Sequence, residues 1–382
     1  MHLAALLAGL TIVSSILWDS FETLVLPRTP MRKLRLTRLF YRVTWQCWVM
    51  QVRSVRSERK RASFLAVYGP LSVIGLLAMW AAGLVAGFAL LQWSQRELLV
   101  NLDGAPHFFD DLYMSATTLF TLGLGDVLPK GRGGRLLVVA EASSSLMLLT
   151  MVFAYLPILY QSFSRREIRL TMLDAWAGSP PSATEILRRV ATTGNLSHLE
   201  GFFADWEQWC SDILESHLSH PAIAYFRSQH DRQSWVSALA TILDLTALVK
   251  VGIEGTPTWR AHLTFAIARH AAVDLSQVLT NPCPPPVDRL PPHELAAVRR
   301  DLERAGLRLN RSCKADRELA DLRLSYEPYI SRLADRLMVP LPRWRRVIDV
   351  PDDWQTNPTS DGGPTSDVRR PTRRVQRPTT GC

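Results

Sequence analysis

The residues best placed to do chemistry form one short run, Thr121-Leu122-Gly123-Leu124-Gly125-Asp126, which closes the stretch SATTLFTLGLGD. No nucleophile with a partner base stands in it, and no metal-ligand spacing. What it offers is backbone. Glycines at alternate positions permit positive φ, so successive carbonyls can point to one side instead of alternating. The run lies between long apolar segments, and non-helical backbone at membrane depth is tolerated only where protein or a water-filled cavity satisfies its carbonyls. Ahead of it, Phe108–Phe120 is too short to cross a bilayer yet aromatic and apolar enough to be buried. Asp110 and Asp111 at its start complement a helix macrodipole, which leaves the negative end pointing inward.

The elements that must hold this run follow from hydropathy. A content of 47% hydrophobic residues with a mean hydropathy of only +0.02 requires a strongly apolar part offset by an ordinary water-facing part. Leu3–Leu26, Phe64–Trp93 and Leu136–Phe163 each reach the roughly 18–20 apolar residues that a spanning helix needs. The first reads as a retained span: its amino end lacks a positive region, and WDSFETLVLPR holds no small-x-small cleavage site.

The net charge of +9 is concentrated beside the apolar runs, in Arg28, Arg32, Lys33, Arg35, Arg38, Arg42, Arg53, Arg56, Arg59, Lys60 and Arg61, with Glu58 as the one acid among them. Next to a span this cluster reads as a cytoplasmic anchor on anionic membrane lipid, not as a nucleic-acid site. It places residues 28–61 and the SRREIR after the third span in the cytoplasm, and both the N-terminus and the 108–126 region outside. LFYRVTWQCWVMQV, interrupted by Arg42, reads as an interfacial amphipathic helix. Asp19 and Glu22, near the cytoplasmic end of the first span, are expected to snorkel and pair with Arg28. Cys47, Cys210, Cys283, Cys313 and Cys382 are scattered without paired spacing, which supports neither a disulfide framework nor a zinc module.

Thr-x-Gly-x-Gly-Asp, the short aromatic helix before it and a span on either side resemble the pore helix and selectivity filter of the potassium-channel superfamily, in its two-span pore-loop form. The resemblance covers about residues 64–163. It implies an all-α membrane protein: a pore-loop channel of outer helix, re-entrant pore helix and filter, and inner helix, here with an extra N-terminal span and an all-helical cytoplasmic domain. The carbonyls of Thr121, Leu122, Gly123 and Leu124 would line the filter, the Thr121 hydroxyl would form the innermost site, and Gly125 and Asp126 the outer mouth. Rings of carbonyls replace the water shell of a dehydrating cation, and closing the ring takes four loops, hence a homotetramer. The permeant potassium ion is the only metal implied; no cofactor is. Tyr113 or a nearby hydroxyl is expected to tie Asp126 to the pore helix.

Two positions depart from the family pattern. Leu124 stands where Tyr is usual, and Phe120 where Thr is frequent; Leu or Phe at the former place resembles the second pore loops of two-pore-domain potassium channels. The function implied is passive, potassium-selective permeation in a cell membrane, of the bacterial inner-membrane kind. A non-selective cation channel, and a membrane-anchored sensor or scaffold with a non-conducting pore, are the alternatives. No enzyme motif is present.

Glu141, about two turns inside the third span, must face protein or water. Ser115, Thr117 and Thr118 on the back of the pore helix offer it hydroxyls, so it is expected to brace the filter. Where relatives carry a hinge glycine this chain has Ser143, Ser144 and Ser145. Pro157 frees a backbone carbonyl and bends the helix, which makes it either a gate or a static kink. No arginine series that would mark a voltage sensor precedes the loop.

Beyond Arg165 the pattern is helical. Ser182 and Glu185 have capping-box spacing, Trp206, Trp209, Trp235 and Trp259 read as core anchors, and His217, His220, His230 and His270 have no ligand spacing. No strand–glycine loop–helix unit or jelly roll is present, so any ligand or protein bound by this half is unknown. The expected division is an N-terminal span (1–27), a basic segment (28–62), a pore domain (63–163), a helical cytoplasmic domain (164–345) and a disordered tail (346–382).

Overall fold

The computed structural model describes residues 2–26, 35–95, 98–101, 107–229, 233–279 and 288–346. Arg28, Arg32, Lys33, His230, Cys283, Cys382 and the tail from 347 lie outside the described residues.

The membrane half begins with α1 (His2–Leu24), α2 (Leu36–Arg53) and α3 (Glu58–Ser94). Lipid tails give apolar helices no hydrophobic reason to associate, so close approach of small residues decides the packing. Gly9 and Gly87 make that approach: a Cβ on Gly9 would stand 2.7 Å from the Gly87 carbonyl oxygen, and one on Gly87 would stand 2.7 Å from Val13 Cγ2. Gly83 likewise seats Ile16. The contacts run antiparallel down to Asp19, which accepts from Trp80 Nε1 at 3.0 Å. Asp19 also accepts from the Thr37 backbone N–H at 3.2 Å and the Thr37 hydroxyl at 2.6 Å, so an acid on α1 caps the start of α2. Glu22 pairs with Arg35 at 3.5 Å and accepts from Trp18. Arg28, the partner expected for both acids, lies outside the described residues.

Next come β1 (Leu99–Asn101), α4 (Phe108–Leu119), β2 (Val127–Pro129) and α5 (Gly131–Ala177). β1 and β2 pair antiparallel, a small departure from an all-helical chain. α3 and α5 outrun the apolar segments that announced them, extending unbroken past Pro70 and Pro157 into the second, helical half of the chain. That half holds α6 (Ala183–Thr192), α7 (His198–Ser219), a short 3-10 helix (Pro221–Tyr225), α8 (Trp235–Gly252), α9 (Thr258–Leu279), α10 (Pro292–Arg304), α11 (Cys313–Leu324) and α12 (Glu327–Leu337).

Among the described residues, α1, α3, α5 and α8 are long and apolar enough to cross a membrane. α8 is different in kind, because α6, α9, α11 and α12 pack around it and bury it along nearly its whole length. Its one acid, Asp244, accepts two hydrogen bonds from Arg289 at 2.7 and 2.9 Å and one from the Tyr326 hydroxyl at 2.7 Å. A buried carboxylate is tolerable only when its lone pairs are filled in this way.

Two sequence expectations for this half fail. Trp206, Trp209 and Trp235 are core residues, but Trp259 is 73% exposed. It falls off the face of α9 that carries Ala261, Thr264, Phe265, Ala268 and Ala272 inward. The capping box at Ser182 does not form, because other partners take both side chains. The Ser182 hydroxyl donates to the Trp344 carbonyl at 2.9 Å, and Glu185 accepts from Arg188, Arg189 and Arg346.

Gly87→Val is expected to cost about 1–3 kcal/mol through overpacking against α1, read as a lower unfolding midpoint in detergent. Burial would raise the Glu185 carboxyl, but hydrogen bonds from Arg188 and Arg189 overcome it and hold its pKa at about 2, against an ordinary 4.5. Its contribution to stability is therefore complete above pH 4.5 and lost as pH falls towards 2. Acid titration of Glu185→Gln should show a shallower loss across that window than the parent chain.

Candidate functional site

α4 is a half-length helix set between α3 and α5. His107 and Asp110 cap it reciprocally, the His107 N–H donating to Asp110 Oδ2 at 2.6 Å. Trp93 of α3 meets Phe108 edge-on, with ring centroids 5.6 Å apart, and fixes the entry. At the other end, the N–H groups of Phe120, Thr121 and Leu122 close onto the carbonyls of Ala116, Thr118 and Thr117 at 3.0, 3.1 and 2.8 Å. The helix stops there and the backbone changes character.

From this point φ is positive at every second residue: 57° at Thr121, 56° at Gly123 and 83° at Gly125. Leu122 and Leu124 between them keep ordinary negative φ. A backbone that alternates in handedness turns successive carbonyls towards one side. A Cβ at Gly123 or Gly125 would meet nothing within 4 Å, so conformation, not space, demands glycine there. Thr121 has no such licence, and a β-branched residue in the left-handed region costs about 1–3 kcal/mol. In the isolated chain all of Thr121–Asp126 is exposed.

The outer end of the loop is tied down. Asp126 accepts from the Val127 N–H at 3.1 Å and faces the Tyr113 hydroxyl. The Lys130 N–H donates to the Leu98 carbonyl at 2.6 Å, and a Cβ on Gly134 would stand only 2.5 Å from that same oxygen. The β1–β2 ribbon thus packs directly on the start of α5.

Behind α4 lies a polar tie across three helices. Glu141 of α5 is 1% exposed, and its Oε2 accepts from Gln92 Nε2 of α3 at 2.9 Å. Ser115 of α4, also buried, faces the same carboxyl. Thr117 and Thr118 do not join them: both hydroxyls donate to the Met114 carbonyl, at 3.0 and 2.8 Å, within their own helix. Gln92 was not foreseen, although a lone amide inside the apolar run LLQW was the available signal. Ser145 lies buried one turn beyond Glu141, and α5 continues through Pro157. Among the described residues no cluster of His, Cys, Asp or Glu is arranged to hold a metal ion.

A half-length helix and an alternating-handed loop held between two spanning helices define a pore-loop membrane protein. Residues 75–162 match the family described as an ion channel. The chain is also similar to the uncharacterized membrane protein YdjJ of Bacillus subtilis (strain 168), with 22% identity over 195 residues, 50% of this chain and 56% of that protein. The chain thus spans a little over half the length of this relative. No solved structure matches it.

Gln92→Leu removes the donor to a buried carboxyl and is expected to cost about 1–3 kcal/mol. Thermal unfolding in detergent should show Gln92→Leu with Glu141→Leu losing less than the two single changes summed, which is the signature of direct coupling.

Proposed function

We propose that this chain is one subunit of a homotetrameric, potassium-selective channel through which the ion moves passively down its gradient. The observation that carries the reading is the alternation of φ at Thr121, Gly123 and Gly125 in a loop held between two spanning helices. Around a fourfold axis such loops stack rings of carbonyl oxygens that stand in for the water shell of a cation. The negative end of α4 points towards the same place and favours a cation beneath the rings.

In this reading Thr121, Leu122, Gly123 and Leu124 supply the coordinating oxygens, and Gly125 and Asp126 form the outer mouth. Tyr113 braces the mouth through Asp126. Ser115, Glu141 and Gln92 hold the pore helix at its depth, while Thr117 and Thr118 serve only their own helix. Leu146, Phe153 and Tyr160 of α5, exposed in the single chain, are surface for neighbouring subunits and the vestibule. Ser145 and Pro157 mark where α5 yields. The arginines of α2 and of the start of α3 set the cytoplasmic side, with the N-terminus outside and the helical half inside a bacterial inner membrane.

A second reading, a pore that passes cations without choosing potassium, is favoured by Leu124. An aliphatic side chain has no hydroxyl to fasten the loop from behind, and this one is 64% exposed in the single chain.

The deciding experiment is cation flux in liposomes holding the purified chain, under potassium and sodium gradients, with Gly123→Ala alongside. Potassium flux well above sodium flux, abolished in the variant, is the expected result. Equal flux of both ions supports the second reading, and Gly123→Ala flux equal to that of the parent removes the loop from the mechanism.

A further inference from the structure

Arg166, near the cytoplasmic end of α5, is 2% exposed although it carries a full charge. A guanidinium so placed is costly unless its donors are met. Nη1 donates to the Ile223 carbonyl at 3.1 Å and Nη2 to the Phe226 carbonyl at 2.7 Å. Glu167 supplies the countercharge at 2.9 Å. His217 Nε2 accepts from Nη1 at 3.3 Å, which leaves the other ring nitrogen to donate to the Ile213 carbonyl at 3.0 Å. Burial and the neighbouring Arg166 both keep His217 well below its ordinary pKa, consistent with that neutral acceptor.

What Arg166 grips is the short 3-10 helix, Pro221–Tyr225, together with Phe226. That segment is wedged between the pore-loop unit and the rest of the cytoplasmic half. Ile223, fully buried, packs against Val73 of α3 and Tyr155 and Leu159 of α5. Phe226 lies so close to α3 that a Cβ on Gly69 would stand 2.9 Å from its ring and 3.1 Å from its Cα. The Tyr225 ring stacks on Tyr41 of α2 at 5.5 Å and meets Trp45 at 5.0 Å and Tyr68 at 5.4 Å. The base of α5 therefore cannot move against α3 without carrying this wedge or breaking the contacts of Arg166.

We infer that Arg166 is a positioning residue for the pore: through the wedge it makes the cytoplasmic helical domain the element that sets where the inner helix ends, and so how far the pore opens. This rests on the channel reading above. Packed interfaces of this kind shift between discrete arrangements and do not deform continuously, so a displacement of α7 or α8 reaches α5 as a switch.

Full-length parent chain, Arg166→Gln and Gly69→Ala, each reconstituted in liposomes, test this through potassium flux and the potassium-to-sodium ratio. The first variant weakens the grip from α5 and the second pushes Phe226 from α3, while neither touches the loop. Both should change flux in the same direction, by about tenfold, with the ion preference unaltered. Parent-level flux in both variants overturns the inference, as do opposite shifts, or a loss of ion preference that marks general damage. Should Arg166→Gln fail to assemble, Gly69→Ala alone decides. If the parent and both variants conduct nothing, the channel reading falls and this inference falls with it. A potassium-selective parent with unmoved variants sinks the inference alone.

Discussion

A peptide carbonyl at membrane depth needs a partner, and hydrocarbon offers none. Helices meet that demand internally; in the channel reading proposed above Thr121–Asp126 does not, and the structure around it makes such an exception tolerable. The N–H groups of Phe120, Thr121 and Leu122 close the end of α4 onto Ala116, Thr118 and Thr117, and from there the backbone alternates in handedness. Everything near the loop limits the cost of that exception. The capping pair His107–Asp110 holds one end of α4, the Tyr113–Asp126 contact holds the far side of the loop, and the ribbon on Gly134 fixes the return into α5.

The left-handed Thr121 shows what such an arrangement asks of its scaffold. A threonine does not adopt that conformation unless its neighbours over-determine it. The tie from Gln92 through Glu141 towards Ser115 is one such source of rigidity, since it joins all three helices around the loop in a site closed to water. The one hydrogen bond in this group runs from Gln92 to Glu141, while Ser115 Oγ and the second Glu141 oxygen are buried against each other without one, so packing holds that end of the tie.

Much of this was legible in the sequence because its causes are local. Three apolar runs of spanning length, acids at the head of a short aromatic helix and glycines at alternate positions each act within a few residues. What could not be read depends on partners far along the chain. Gln92 meets Glu141 across 49 positions, Ser182 is claimed by Trp344 across 162, and Asp19 by Trp80 across 61. Thr117 and Thr118 sit on the helix that faces Glu141, but a helical threonine hydroxyl readily donates to the carbonyl three or four residues before it, here that of Met114. A tryptophan suggests core, but the period of α9 puts Trp259 off the buried face. The composition of α8 fits a membrane crossing as well as a protein core, and only the helices around it distinguish the two.

The sheath that α1 forms over α3 has a mechanical side. Gly83 and Gly87 face α1 and not lipid, so along this contact the bilayer touches the pore-loop unit through an intermediary whose Leu3, Leu7 and Leu10 are turned outwards. α1 has 23 residues, about 35 Å of helix, against a hydrocarbon thickness of about 30 Å. A thicker or thinner membrane would be accommodated first by the tilt of α1. That tilt would be passed to α3 at Gly9–Gly87 and to α2 at Asp19, which makes the thickness of the surrounding bilayer a force applied at the rim of the protein.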